Sequence, residues 1–436
     1  MGSPTRTLQI ALALALASAC SESSKAAPKP DELGGGNNSN DNGSSNVTSE
    51  GGVAATPDAA IDYRTCRESA PRFTAKGDSP FGTGFSLLTD GLDVHVAYLT
   101  PTCFGVEGRG TAHGLRYLRL GSTGEAKEPI DIAYTDGESC VRMQEPTLSS
   151  VEGAIALAYS AAPEGAWAVF GRALDATQAT RLDGQRKPTS IRAVHADDVA
   201  GASFTAWVED DDKRQSTLWV AGTGGKPAER ALIAADDGYH ITAMALRGLP
   251  EARRSQVRAA LVFASDSKSR GGVYLLALDA DLKPTTNDVV RISDALPGDV
   301  SLDLQARGVL YTGGSAASPD LRFRALNETA EIEGDEVRIT VGSEGASVGS
   351  LAPFTVGYAI AYRSVRADDP ARAWVRLTLI DPQGNIAGSR NVIETSAAGG
   401  QVLIRAAVDG RLALGFREIG EDGSSALHVA RVTCGS

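Results

Sequence analysis

From residue 61 onward the chain alternates short apolar runs with polar, turn-forming stretches. The runs are rich in Val, Ile, Leu, Tyr, Phe and Trp. The breaks are rich in Gly, Asp, Pro and Ser. Short alternating runs bounded by turn formers predict β-strands joined by loops. No long segment carries the 3.6-residue period of an amphipathic helix.

One kind of run recurs. It reads "DVHVAYLT" (93–100), "AIALAYSA" (154–161), "SFTAWVED" (203–210), "RAALVFAS" (258–265), "ARGVLYTG" (306–313), "GYAIAYRS" (357–364) and "RLALGFRE" (411–418). Each closes on a ring after small or aliphatic residues: Tyr98, Tyr159, Trp207, Phe263, Tyr311, Tyr362 and Phe416. A second strand follows each, such as "GLRYLRL" or "AWVRLTLID", and then a third, such as "VVRISD" or "EVRITVG". A less hydrophobic strand precedes each ring strand, as in "GTGFSLLTD", "SIRAVHADD" and "QVLIRAAVDG". Every unit therefore offers four short antiparallel strands, a to d, with the ring on strand b. Seven such units of about 50 residues match an all-β, seven-bladed β-propeller; six or eight blades are the alternatives. The rings are expected to fill the gaps between adjacent blades.

The last unit stops after strand c. The segment "APRFTAKGDSP" (70–80) has the form of a strand d and is expected to complete it, because an unpaired edge invites aggregation. Strand direction then groups the cysteines. If strand a runs from face X to face Y, Cys66 and Cys434 lie on Y, and Cys103 and Cys140 lie on X. The expected disulfides are Cys66–Cys434 and Cys103–Cys140.

That pairing leaves Cys20, and the segment before it has its own pattern. "LQIALALALASAC" (8–20) is an apolar run behind Arg6. From Leu8 to Ala19 it is too short for the roughly 30 Å hydrocarbon core at about 1.5 Å per residue. Charge, apolar core and small residues predict a signal peptide over 1–19. Ala17-Ser18-Ala19-Cys20 resembles the lipobox of bacterial lipoproteins, although Ala17 stands where that family more often has leucine. The resemblance implies a diacylglyceryl-modified Cys20 as the first mature residue. Ala17-Ser18-Ala19 would also serve as an ordinary A-x-A site of a plainly secreted protein. Residues 20–60 are polar and of low complexity, and are expected to form a disordered tether spanning about 35 Å. The propeller domain is expected over 61–436. The expected address is the cell envelope, at the outer membrane or cell surface, with Cys20 in the lipid.

Composition narrows the function. Lys and Arg number 42 against 54 Asp and Glu, a net charge of −12 over 436 residues, with no basic run. Nucleic acid is therefore not an expected partner. The chain is expected to be a monomer. The histidines are His95, His113, His195, His240 and His428. His95 and His428 fall in strands; the other three are read near loops or strand ends. No ligand spacing for a metal occurs, and no nucleophile elbow. Glycine-rich "FGTGFS" and "GTGGK" lack the helix of a phosphate loop and read as turns. Four acidic clusters, "VEDDDKRQS" (208–216), "HADD" (195–198), "AADDGYH" (234–240) and "RADDPAR" (366–372), lack the alternation of a calcium loop, as does "DADLKPTTND" (279–288). They are read as solvated hairpin tips. The WD, kelch and sialidase-type S-x-D-x-G-x-x-W signatures are absent. No catalytic residue, metal or cofactor is expected. The expected function is a non-catalytic binding or scaffold module with a protein or glycan ligand at one propeller face. The alternative is a carbohydrate hydrolase or lyase with acidic residues at one mouth.

Overall fold

A computed structural model describes residues between 65 and 435, apart from segments of which the longest are 78–83, 101–113, 133–141, 250–255, 295–301 and 341–348. Cys20, Cys103, Cys140 and His113 lie outside the described residues, as do the leader and tether.

Seven antiparallel sheets follow one another along the chain. Their first strands are Phe85–Asp90, Arg142–Val151, Ser190–Val199, Ile241–Gly248, Leu302–Gln305, Gly349–Phe354 and Val402–Ala406. Each first strand packs on the next, and the seventh packs on the first, so the sheets close a ring with these strands innermost. The protein is a seven-bladed β-propeller. Among the described residues no helix is long and apolar enough to cross a membrane.

Local turns set the register. The a–b hairpins of blades 2 and 3 turn on Glu152-Gly153 and Ala200-Gly201, with φ of 51°, 81°, 52° and 82°. Positive φ at both central residues is the turn that suits the right-handed twist of paired strands. Asp279 accepts the backbone N–H groups of Asp281 and Lys283 at 2.9 and 2.8 Å. Asn327 and Asp381 do the same work in the matching turns of blades 5 and 6. The D-x-D of blade 4 is thus a turn device, as an acidic hairpin tip should be.

The apolar core is divided among the seams between blades. Seven buried clusters occur among the described residues, each drawing on two adjacent blades. Each holds one recurring ring. Tyr98 lies in the seam between blades 7 and 1, Tyr159 between 1 and 2, and Trp207 between 2 and 3. Phe263, Tyr311, Tyr362 and Phe416 continue the series around the ring. All seven are buried, and each such side chain stabilises by about 2–3 kcal/mol.

Closure follows the expected plan. Phe73–Gly77 pairs with strand c of blade 7, Phe73 opposite Val429 and Gly77 opposite Ser425. A two-residue strand not foreseen, Arg67–Glu68, extends the pairing to Val432 and Thr433. Between these strands Arg72 ion-pairs with Glu68 at 3.0 Å and lies over the Phe416 ring. The Cys66–Cys434 disulfide joins residues 368 apart, and Thr65 Oγ1 accepts the Gly435 N–H at 2.7 Å beside it. In chain-entropy terms a loop this long is worth about 5 kcal/mol. Cys66→Ser and Cys434→Ser are therefore expected to lower the guanidinium unfolding midpoint equally, with the double variant no less stable than either. Additive losses in that titration would refute the shared origin.

Candidate functional site

The inner strands present free edges to the central channel, and their outward N–H groups need acceptors. One register position supplies them. The residue of strand a paired with the one before each ring is Ser86, Thr147, His195, Ala245, Asp303, Ser350 and Leu403 in blades 1 to 7. Ser86 Oγ accepts the Leu148 N–H of the next blade at 3.0 Å. Thr147 Oγ1 accepts the Ala196 N–H at 3.2 Å, and Ser350 Oγ the Ile404 N–H at 2.6 Å. The donor is always the residue after the equivalent position. These hydroxyls form rungs between neighbouring blades.

At the equivalent place blade 3 carries His195, whose imidazole lines the cavity instead of forming a rung. The backbone around it is also unusual. In blades 2 and 3 a β-bulge lies opposite the ring, over residues 145–146 against Tyr159 and 193–194 against Trp207. Ala193 has φ 50°, an uncommon conformation for a residue with a Cβ. Blade 4 is bulged at residue 242. Bulges re-aim side chains and gather beside functional sites. These three line a cavity of about 300 Å³ in the channel, with Gly84 to Ser86 of blade 1 and Gln401, Leu403 and Arg405 of blade 7.

Polar groups from three blades meet there: His195, Arg247 of blade 4 and Arg405 of blade 7. Arg247 Nη1 bonds Asp197 Oδ1 at 3.0 Å, and Asp197 Oδ2 accepts the Gly248 N–H at 2.7 Å. Asp197 is therefore a spacer between blades 3 and 4 that fixes the guanidinium. Arg405 Nη1 donates to the Ile404 carbonyl at 2.7 Å. Burial, with the charges of Arg247 and Arg405 adding, pushes the His195 imidazole down to about 3. His195 is neutral at ordinary pH and can donate or accept a hydrogen bond.

The other sequence candidates are structural. His95 bonds Tyr117 Oη at 2.6 Å, and His428 meets Thr74 of the closing strand at 3.0 Å. His240 pairs with Asp266 on the X rim at 2.5 Å. His195 was expected near a loop or strand end; it sits mid-strand, because the bulge breaks the alternation that marks a strand. "HADD" is likewise not a hairpin tip but lies within the inner strand Ser190–Val199. "VEDDD" is more than a solvated tip. Glu209 is buried and accepts from Trp207 Nε1 at 2.8 Å and Arg186 at 2.9 Å, and Asp210 accepts from Ser190 and Ser216, each at 2.8 Å. Among the described residues no cluster of three or more His, Cys, Asp or Glu could hold a metal.

No protein-family model matches the chain, and no curated protein matches it. Solved structures do resemble it. A protein of unknown function from Dyadobacter fermentans is 9% identical at TM-score 0.50, over 85% of this chain and 99% of that one. A PL25 ulvan lyase, solved bound to -[GlcA(1-4)Rha3S]-, is 10% identical at TM-score 0.50, over 80% of this chain and 94% of that one. At these identities the likeness is one of fold.

The shift of His195 has a consequence for stability. An unfolded chain protonates this imidazole near 6.5, the folded chain only near 3. The unfolded state thus binds more protons in between, so stability falls as pH drops from 6.5 towards 3. Thermal melts are expected to show a shallower acid loss for His195→Ser than for the native chain. Parallel curves would remove His195 from the acid response.

Proposed function

We propose that the chain is an exported, lipid-anchored protein of the cell envelope, and that its propeller is a non-catalytic binding module taking its ligand in the central cavity at His195. One observation carries the binding reading. The register position that carries a rung hydroxyl in blades 1, 2 and 6 carries in blade 3 an imidazole that lines the cavity, beside a bulged and cavity-forming backbone. Sites where a repeated local rule is broken without structural gain are where function is expected.

The anchor rests on the lipobox-like Ala17-Ser18-Ala19-Cys20. The Cys66–Cys434 bond suits an oxidising compartment outside the cytoplasm. Cys66 lies on face Y, where strands a end.

The enzyme reading is weaker on chemical grounds. A carbohydrate hydrolase or lyase is expected to bring paired carboxylates to one mouth, whereas the described lining brings arginines and an imidazole together, which favours binding. The ulvan lyase shows that a propeller of this fold can take an acidic polysaccharide, which suggests the class of ligand to try first.

Mass spectrometry of the mature chain is expected to find an acylated Cys20 at the amino terminus; an unmodified terminus would leave a secreted protein. In affinity electrophoresis the full chain is expected to be retarded by an acidic polysaccharide whose length does not change. New reducing or unsaturated ends in the recovered polysaccharide would favour the enzyme instead.

A further inference from the structure

We infer that the cavity takes one sugar ring through its uncharged hydroxyls, read by Ser86, Thr147 and His195 of three successive blades. This rests on the ligand-binding reading above and names the chemistry that the site recognises.

The first argument is what the rungs leave unspent. A hydroxyl has one proton to donate and two lone pairs with which to accept. Ser86 Oγ accepts the Leu148 N–H and Thr147 Oγ1 the Ala196 N–H, so each rung uses its oxygen as an acceptor. Among the described residues these acceptor bonds are the side-chain hydrogen bonds of Ser86 and Thr147. Each therefore still has an O–H to give. Both residues are nine-tenths buried, 9% and 8% exposed, and both line the cavity. Thr242 of the same lining differs, because its hydroxyl donates to the Ala264 carbonyl at 3.4 Å.

Contiguity is the second. Ser86 bonds the N–H of the residue after Thr147, and Thr147 bonds the N–H of the residue after His195. The three side chains occupy one register of strand a and line one cavity. On either side of them blades 7 and 4 carry Leu403 and Ala245 at that register, so the polar arc ends there. A neutral imidazole adds one donor and one acceptor to the two O–H donors. Neighbouring hydroxyls on the edge of a sugar ring both accept and donate, and so meet such an arc group by group.

The rest of the wall fits the same occupant. Pro146, Met244 and Leu403 offer apolar surface to the C–H face of a ring, and the small Ala193, Ala196 and Ala243 leave it room. About 300 Å³ lies at the lower end of small-molecule sites and suits one ring, not a long chain segment. The lining arginines are held by the protein itself. Arg247 is ion-paired with Asp197 at 3.0 Å, and Arg405 Nη1 donates to the Ile404 carbonyl at 2.7 Å. Recognition is therefore assigned to the hydroxyls of the ligand and not to a charge on it.

The test is calorimetry on the full chain with the methyl glycosides of glucose, galactose, mannose and rhamnose, and with cyclohexanol, sodium sulfate and N-acetylglycinamide for comparison. At least one glycoside is expected to bind about tenfold tighter than cyclohexanol, the effect of a buried hydrogen bond left unmade. Added salt is expected to leave that affinity unchanged, as for an uncharged ligand. Ser86→Ala and His195→Leu are each expected to weaken it by about tenfold. Ser350→Ala removes the same rung from blade 6, outside the described lining. It is expected to lower the melting temperature as Ser86→Ala does while binding the glycoside like native. An equal loss of affinity in Ser350→Ala would make the effect one of folding and overturn the role given to Ser86. Cyclohexanol or sulfate binding as tightly as every glycoside, or no glycoside binding at all, would overturn the hydroxyl proposal; loss of polysaccharide retardation in His195→Leu would then keep the cavity as a ligand site. N-acetylglycinamide binding tightest would overturn the sugar in favour of an amide. If Ser86→Ala and His195→Leu both retain native affinity for the glycosides and for the polysaccharide, the cavity reading itself fails.

Discussion

Seven flat sheets arranged around an axis leave seven wedge-shaped gaps, and filling those gaps is the constraint on which this structure depends. The protein meets it with one ring per seam, carried at the same register of strand b in every blade. Placing the ring on the second strand holds adjacent sheets apart at mid-blade while the first strands converge on the channel. Trp207, the largest, fills the seam between blades 2 and 3, where both inner strands are bulged. The bulges and the largest ring therefore occur together: extra backbone on the channel side faces extra volume on the seam side.

The inner ring has a different problem. Its strands are edges, and their N–H groups point where no fifth strand can pair. Short hydroxyls on the preceding blade solve this without filling the channel, and in doing so they join neighbouring blades directly. The hydroxyl recurs in blades 1, 2 and 6, while blades 4, 5 and 7 carry Ala245, Asp303 and Leu403 at that register and blade 3 carries His195. A serine or threonine there would satisfy the register as it does elsewhere. Blade 3 holds an imidazole there, in a cavity that Arg247 and Arg405 also line, and its burial costs stability as pH falls.

How much of this was legible in the sequence follows from the same two devices. The ring strands are buried on both sides, so they read as compact apolar runs with a fixed terminal signal, and blade count and closure follow from them. The edge problem of blade 7 pointed to residues 70–80 and hence to Cys66 and Cys434. The inner strands read poorly because their side chains meet both a seam and a polar channel, and because bulges at residues 145–146, 193–194 and 242 shift their alternation. That is why "HADD" looked like a loop and why Arg247 and Arg405 drew no notice. Alignment of the units on their rings would have brought Ser86, Thr147, His195, Ala245, Asp303, Ser350 and Leu403 into one column. The deviation was present in the letters, but its meaning needed the hydrogen bonds that give the column its purpose.

Closure and recognition are linked through blade 7. Arg405 belongs to the last blade, His195 to the third and Arg247 to the fourth, while Gly84, Phe85 and Ser86 of the first complete the wall. The cavity thus spans the seam at which the two ends of the chain meet. Leu403 and Phe85 pack together in that seam, alongside Phe73 of the closing strand. The disulfide on face Y, at the far end of the blade from Gly84 and Gln401, therefore acts on the cavity through the rigidity of the ring, not through contact. A closed ring makes the relative positions of distant blades a property of every seam at once, and that is what allows three side chains, brought from across the sequence by three separate strands, to behave as one site.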